Sequence, residues 1–314
     1  MVLMNMDNNA PQKEYWVCML ILVVLTGASL LPVLSGLALY ILLPACLAYL
    51  FVRFDWRYSA GAAAVVLLVP MLVMLQPDVS VFLICVPLAA GVAFAVRKKK
   101  SLLFAVSAGV AGELVSVLLL YLAGIVAAGG AEAFHAQIGG YWSEMQAMMD
   151  EMFAAYQIPS EIGMAYQQMF LSLVPAIAIC MAASFSYLAF YFCNLFLKRR
   201  DISYVGVYRP FSEIKADKSC VVAVIVFFII SLFVSGIFAR ALVNLVVILA
   251  FFLFVCGFST ACFFVKRIRR RPVRILVFVI LFMTIFITSY LFMFVGFIDA
   301  FLNIRRIGQG PKPE

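Results

Sequence analysis

The sequence predicts an all-α membrane protein, a polytopic bundle of about nine transmembrane helices with one amphipathic helical segment outside the membrane. Of its 314 residues 66% are hydrophobic and 12% are charged, whereas a soluble domain is about 45–50% apolar and about 25% charged. Its apolar runs reach the roughly 18 residues that a helix needs to cross a bilayer. The alternating ten-residue pattern of a membrane barrel is missing, so helices are the remaining way to satisfy the backbone in lipid.

Nine apolar runs, separated by charged or turn-forming stretches, predict the individual helices. They are Tyr15–Leu34, Leu37–Val52, Tyr58–Leu75, Val79–Val96, Leu102–Ala127, Met164–Leu197, Ser219–Phe238, Ala241–Val265 and Ile275–Ile298. The second is short and contains Pro44, so we expect it to be tilted, kinked or partly re-entrant. We treat 1–314 as a single integral membrane domain, which comprises a five-helix block (15–127), an external segment (128–163) and the C-terminal helices (164–314) with a loop at 198–218.

The distribution of basic residues predicts the orientation. Segments 97–100, 198–218 and 266–274 hold four, six and six of the 23 lysines and arginines, whereas 128–163 holds five acids and no basic residue. Short cytoplasmic loops are enriched in lysine and arginine, so the three basic segments and the N-terminus are predicted to be cytoplasmic. Nine spans would then place the C-terminal tail, with Arg305, outside. A re-entrant last segment, which would return the tail to the cytoplasm, is the alternative.

The external segment carries apolar residues at a spacing of three to four from Glu132 to Tyr156, which predicts an amphipathic helix. Its methionines, above all Met145, Met148 and Met152, would form an adaptable apolar face. We expect this helix either to pack against the bundle or to act as a lid over a substrate site.

One ionisable residue, Glu113, lies near the middle of a predicted span. Charged groups inside a membrane are costly and often functional. Small residues around it, among them Gly112 and Ser116, favour close helix packing. The sequence therefore predicts either a substrate or buried polar network, with Glu113, Ser116 and Asn244 as its candidates, or a neutral structural carboxyl.

The basic clusters have two readings. They either set the topology alone or also bind anionic lipid headgroups, at about 1 kcal/mol per charge. The residues concerned are Arg97, Lys98, Lys99, Lys100, Arg269, Arg270 and Arg271. No soluble domain is predicted that would present this charge to a nucleic acid.

Motifs of several enzyme classes are missing from the sequence. It has no phosphate-binding G-x-x-x-x-G-K-[ST] and no H-E-x-x-H, and it has a single histidine. We therefore expect a protein that is not an enzyme and that needs no cofactor or metal. The eight cysteines form no C-x-x-C pair, which favours a packing role.

A series of short stretches, taken in order, resembles the YybS-like family of uncharacterised bacterial inner-membrane proteins over most of the chain. The stretches are 97–100, Ile158–Glu161, Val174–Ala176, Leu197–Arg200, Arg209–Phe211, Ala241–Leu245, Cys256–Ser259, Gly296–Phe301 and Asn303–Arg306. The resemblance implies a multi-pass protein of the bacterial plasma membrane. It also implies a distant similarity to the substrate-binding subunits of energy-coupling-factor transporters.

Two functions follow as expectations. The first is a substrate-binding or transport-associated membrane subunit, which would need a separate ATPase and other membrane subunits because the chain encodes no ATPase motif. The second is a membrane scaffold or regulator that docks envelope proteins or anionic lipid through its basic loops. The sequence does not indicate the oligomeric state.

Overall fold

The computed structural model describes residues 10–32, 34–75, 79–199, 210–285 and 287–305, and this part of the chain contains helices and no strand. The helices are α1 (Ala10–Ser29), α2 (Ser35–Arg53), α3 (Trp56–Met74), α4 (Ser80–Arg97), α5 (Leu102–Ala127), α6 (Ala131–Ala155), α7 (Ser160–Lys198), α8 (Lys218–Phe233), α9 (Gly236–Lys266), α10 (Arg271–Met283) and α11 (Ser289–Leu302). A single 3-10 turn, Phe211–Glu213, precedes α8.

Six of these helices, α2 to α5, α7 and α9, are long and apolar enough to cross a membrane. The helices α8 and α11 are apolar but shorter. The predicted all-α membrane bundle is therefore confirmed, and the helix predicted outside it is present as α6.

The chain divides into two units. Unit 1 comprises 1–157 and 181–208, and unit 2 comprises 158–180 and 209–314. The boundary at 180/181 falls inside α7, so this 39-residue helix contributes its first half to unit 2 and its second half to unit 1.

The core of unit 1 is built on the C-terminal part of α2, where Leu43, Leu47 and Leu50 are fully buried. The helices α4 and α5 form its most extensive pair. Their backbones approach so closely that a methyl group at Gly112 would overlap the carbonyl oxygen of Pro87. Without a driving force from water, helices in lipid associate by such close packing.

The second predicted span is interrupted by a π-helical turn at Ala38–Leu42, directly before Pro44. Proline has no backbone N–H and its ring crowds the preceding turn. The wider π-turn relieves this strain, and such turns are frequent at functional sites. The structure thus contains a π-turn directly before Pro44, whereas the tilted, kinked or re-entrant course of this span stays a prediction.

The last predicted span, Ile275–Ile298, is wrong as a single helix, because α10 ends at Met283 and α11 begins at Ser289. Between them, the hydroxyls of Thr284 and Thr288 donate to the carbonyls four residues earlier, at 2.8 Å each. Hydroxyl groups that bond back to their own helix compete with its regular hydrogen bonds and bend it. At 1.5 Å per residue, each piece is about 20 Å long, shorter than the roughly 30 Å of hydrocarbon in a bilayer.

The last described residue, Arg305, supports the re-entrant alternative. Arg305 donates hydrogen bonds to the carbonyl oxygens of Ser212 (2.8 Å) and Ile214 (2.7 Å). Residue 305 therefore lies at the same end of unit 2 as residues 210–217, which the charge rule assigns to the cytoplasm. Nine full crossings would instead place Arg305 and residues 210–217 on opposite sides.

Candidate functional site

Glu113 lies on α5 inside unit 1, where its side chain is partly buried. Its Oε2 atom is buried and has no hydrogen-bond partner among the described residues. Buried polar groups in proteins are almost always paired. An unpaired carboxyl oxygen within a membrane-spanning helix therefore requires an explanation, and a bound proton or ligand is the most direct one.

The π-turn of α2 and the middle of α4 lie within electrostatic range of this carboxyl, through the Tyr40 hydroxyl and the Cys85 thiol. Cys85 Sγ donates to the carbonyl oxygen of Leu39 at 3.2 Å. The ring of Tyr40 stacks on Phe185 of α7, with centroids 4.9 Å apart. The π-turn thus carries a phenol, stacked on an aromatic ring of α7, within electrostatic range of the only mid-span acid predicted from the sequence.

A second unpaired polar atom lies one turn away. Ser186 on α7 is fully buried, and its Oγ has no partner among the described residues. It packs against Gly109, where an added methyl group would overlap it. Positions 109 and 113 share one face of α5, because residues four apart in a helix are neighbours. Glu113 therefore lies on the face of α5 that Ser186 contacts.

Ser116, the second candidate from the sequence, has its hydrogen bonds satisfied. It is 1% exposed, and its hydroxyl bonds to the carbonyl oxygens of Gly112 (3.1 Å) and Ile84 (3.4 Å). It joins α5 to α4 beside Glu113. The structure therefore brings Glu113 and Ser116 together in unit 1, with Ser116 in a supporting position.

Asn244, the third candidate, belongs to unit 2. Its Oδ1 accepts from the backbone N–H of Ala176 (2.9 Å), and its Nδ2 donates to the carbonyl of Ser172 (2.7 Å). Those two groups are four residues apart, the spacing of a regular helix hydrogen bond, and Pro175, which has no backbone N–H, lies beside them inside α7. The amide of Asn244 bridges the two backbone groups, which is a structural task.

The proposed lid residues lie on α6, which has no buried residue. Met148 and Met152 are 70% and 48% exposed, and Met145 is partly buried. Only the start of the helix is anchored, by Phe134 against Tyr121 and by a 2.8 Å hydrogen bond between Tyr121 Oη and His135 Nε2. The lid role of the methionine face stays a prediction.

The basic candidates are all exposed, namely Arg97, Lys98, Lys99, Lys100, Arg269, Arg270 and Arg271. One of them also has a structural contact, since Arg97 Nη2 donates to the carbonyl oxygen of Phe54 at 2.8 Å. Both predicted uses, topology and binding of anionic headgroups, fit this exposure.

Unit 2 contains a buried ion pair that the sequence analysis missed. The guanidinium of Arg305 bonds to Asp299 Oδ2 at 2.8 and 3.1 Å, and the two side chains are 0% and 1% exposed. Arg305 also donates to Ser259 Oγ at 2.8 Å. Two of the stretches that resemble the YybS-like family contain these residues, whereas nine spans would have placed Arg305 outside the membrane.

The described residues contain no group of three or more histidine, cysteine, aspartate or glutamate side chains that could hold a metal ion. The eight cysteines are free thiols, and six of them are buried. The chemistry available in unit 1 is therefore that of a carboxyl, a phenol, a thiol and hydroxyls in apolar surroundings. Such a set can bind a proton or hydrogen-bond donors.

Comparison with known proteins gives one match. A family model described as a predicted membrane protein (DUF2232) matches residues 19–300, a range that includes Glu113, Asn244 and Asp299. No curated protein and no solved structure matches the chain. Since the match covers well over half of the 314 residues, the chain belongs to this family of predicted membrane proteins.

Proposed function

We propose that the protein is a substrate-binding or transport-associated subunit of the bacterial plasma membrane, with its binding group at Glu113 in unit 1. The observation that carries this proposal is the buried Oε2 of Glu113, which has no partner among the described residues. A carboxyl that served only to hold helices together would be expected to have its hydrogen bonds satisfied.

The surroundings of Glu113 support the same function. The π-turn at Ala38–Leu42 carries Tyr40 within electrostatic range of the carboxyl, and the unpaired Oγ of Ser186 packs on the face of α5 that carries Glu113. Two unpaired polar atoms in one apolar region are suited to a ligand that supplies hydrogen-bond donors. A protonated amine or a coupling proton has that chemistry.

The rest of the proposed machinery would be separate. The chain has no P-loop motif, so energy from ATP would have to come from another subunit. The resemblance to the YybS-like family, with its distant similarity to energy-coupling-factor subunits, supports such an assembly. We place the N-terminus and the basic loops in the cytoplasm, following the charge rule.

Carbodiimide labelling tests the site. Dicyclohexylcarbodiimide reacts with protonated carboxyl groups in apolar surroundings, and the adduct is detected by peptide mass spectrometry. We expect labelling at Glu113 in membranes and none at Asp299, a buried carboxylate that is paired with Arg305. Asp150, which is exposed on α6, is the control for water-facing acids. Absence of an adduct at Glu113 would contradict the proposed site.

Affinity purification in mild detergent tests the assembly. Recovery of ATPase subunits with the wild-type chain supports the transport function. Their repeated absence, together with recovery of envelope proteins, would overturn it.

The scaffold alternative is favoured by a different observation. Seven basic residues at the ends of α4, α9 and α10 are exposed, and most of α6 is unpacked. Substituting Arg269, Arg270 and Arg271 by glutamine would abolish recovery of envelope partners under this alternative. Under the transport proposal, it would leave recovery of ATPase subunits unchanged.

A further inference from the structure

A cleft of about 710 Å³ opens at the start of α1 and α3 in unit 1. Its lining combines four aromatic side chains with one acid and one base, namely Tyr15, Trp16, Asp55, Trp56, Arg57 and Tyr58. The adjoining turn at Arg53–Arg57 is cytoplasmic by the charge rule. The cleft therefore lies at the level where tryptophan and tyrosine meet lipid headgroups.

The aromatic side chains of the cleft are of two kinds: the tyrosines at its base are packed together, and the tryptophans at its sides are exposed. Tyr15 is 7% exposed, its ring packs edge-to-face on Tyr58 with centroids 4.8 Å apart, and its hydroxyl donates to the carbonyl of Tyr58 at 3.3 Å. Trp16 and Trp56 are 62% and 73% exposed. The floor is held by the protein, and the two indole rings remain available to a ligand.

The charged groups around the cleft are not equivalent. Arg53 faces Glu14 at 3.9 Å, and Arg97 is bonded to the carbonyl of Phe54. By contrast, Asp55 makes no side-chain cap bond, although it stands at the N-cap of α3. Arg57 lies 5.7 Å from the ring centre of Trp56. Asp55 and Arg57 are thus the acid and the base that remain for a ligand.

We infer that this cleft binds a zwitterionic phospholipid headgroup that carries a primary ammonium and a phosphate, as in phosphatidylethanolamine. Arg57 would take the phosphate, because guanidinium groups bind phosphate oxygens through charge-assisted bonds. Asp55 and the indole rings would take the ammonium, by charge and by cation–π attraction. A purely anionic headgroup would gain from Arg57 and be repelled by Asp55, so the pair selects a zwitterion.

Tryptophan fluorescence provides a direct test, because two of the three tryptophans of the chain line the cleft. The third, Trp142, lies on α6 and is removed by Trp142→Phe. Full-length protein in detergent is titrated with dihexanoyl phosphatidylethanolamine or dihexanoyl phosphatidylglycerol. We expect a saturable change with the ethanolamine lipid and binding about tenfold weaker for the glycerol lipid, since one ionic contact is worth about that factor.

Two variants separate a binding role from a structural one. Asp55→Asn with Arg57→Gln should abolish the saturable change, whereas Asp150→Asn with Arg270→Gln, an exposed acid and base elsewhere, should leave it intact. Asp55→Lys should reverse the preference toward the glycerol lipid, an effect that misfolding would not produce. Equal responses to both lipids in the wild type, or no change in preference with Asp55→Lys, would overturn the inference.

Discussion

Two acidic residues in different units of this protein, Asp299 and Glu113, have opposite surroundings. Asp299 in unit 2 is 1% exposed and is bonded to Arg305, which also binds two carbonyl oxygens and a serine hydroxyl. Glu113 in unit 1 keeps a buried oxygen with no partner among the described residues. Burying a charge is tolerated when its partners are complete. The difference indicates that Asp299 fixes structure, and it is the basis for proposing Glu113 as a binding group.

Arg305, the partner of Asp299, also joins distant parts of unit 2. Arg305 reaches Ser212 and Ile214, more than 90 positions earlier in the chain. Ser259 donates to the carbonyls of Phe211 (2.6 Å) and Ile214 (3.0 Å), and Lys266 Nζ to Ser212 Oγ (2.9 Å). The side chains of Arg305, Ser259 and Lys266 therefore hold residues 211–214, which precede α8, against α9.

The largest effect is expected from Arg305→Met. It leaves Asp299 buried without its partner, and breaking such a pair costs about 3–5 kcal/mol. The free energy of unfolding, measured by SDS titration in mixed micelles, should fall by that amount. The exposed Arg270→Met is the matched control, and an equal loss in both variants would refute the special role of Arg305.

Asp299→Asn should have the next largest effect. The variant keeps the size of the side chain but removes the charge that Arg305 contacts, and hydrogen bonds to charged groups contribute about 1.5–3 kcal/mol. The same titration measures it. A double-mutant cycle with Arg305→Met should show that the two losses are not additive, because the residues are in contact. Strict additivity would mean that the pair is not coupled.

Asn244→Leu tests a third polar contact, which is partly buried and in which all the partners are backbone groups. It removes the bridge between the Ala176 N–H and the Ser172 carbonyl beside Pro175 of α7, at a cost of about 1–2 kcal/mol. Ser172→Ala should be neutral in the same titration, since Asn244 bonds to the backbone carbonyl and not to the side chain of Ser172. A loss in the alanine variant alone would assign the effect to Ser172.

The smallest effect on stability is expected from Glu113→Gln. No bond to the buried oxygen is lost, so the free energy of unfolding should change by no more than about 0.5 kcal/mol. Carbodiimide labelling at this position should vanish at the same time. A loss as large as that of Asp299→Asn would show that Glu113 is a structural acid and would remove the contrast between the two units.

Much of the fold follows from local sequence. The limits of α5 at Leu102 and Ala127 agree with the prediction, because a basic turn precedes this apolar run and glycines end it. Boundaries set by single residues were harder to predict. The helix α8 ends at Phe233 and not at Phe238, because Val234 and Ser235 adopt an extended backbone before Gly236, with a positive φ of +72°, begins α9. The break at 284–288 was missed because threonine bonds back to its own helix only where packing permits.

The sequence by itself determined the class of protein, the principal helices and Glu113, since apolar length and an isolated charge are local properties that lipid makes costly to violate. Only the tertiary structure decided which acid is paired. Asp299 pairs with Arg305, which also binds groups on segments far earlier in the chain, and hydropathy contains no information about such contacts. For the same reason the sequence did not show that Tyr40 and Ser186 lie in the region of Glu113. The packing of α2, α5 and α7 shows it.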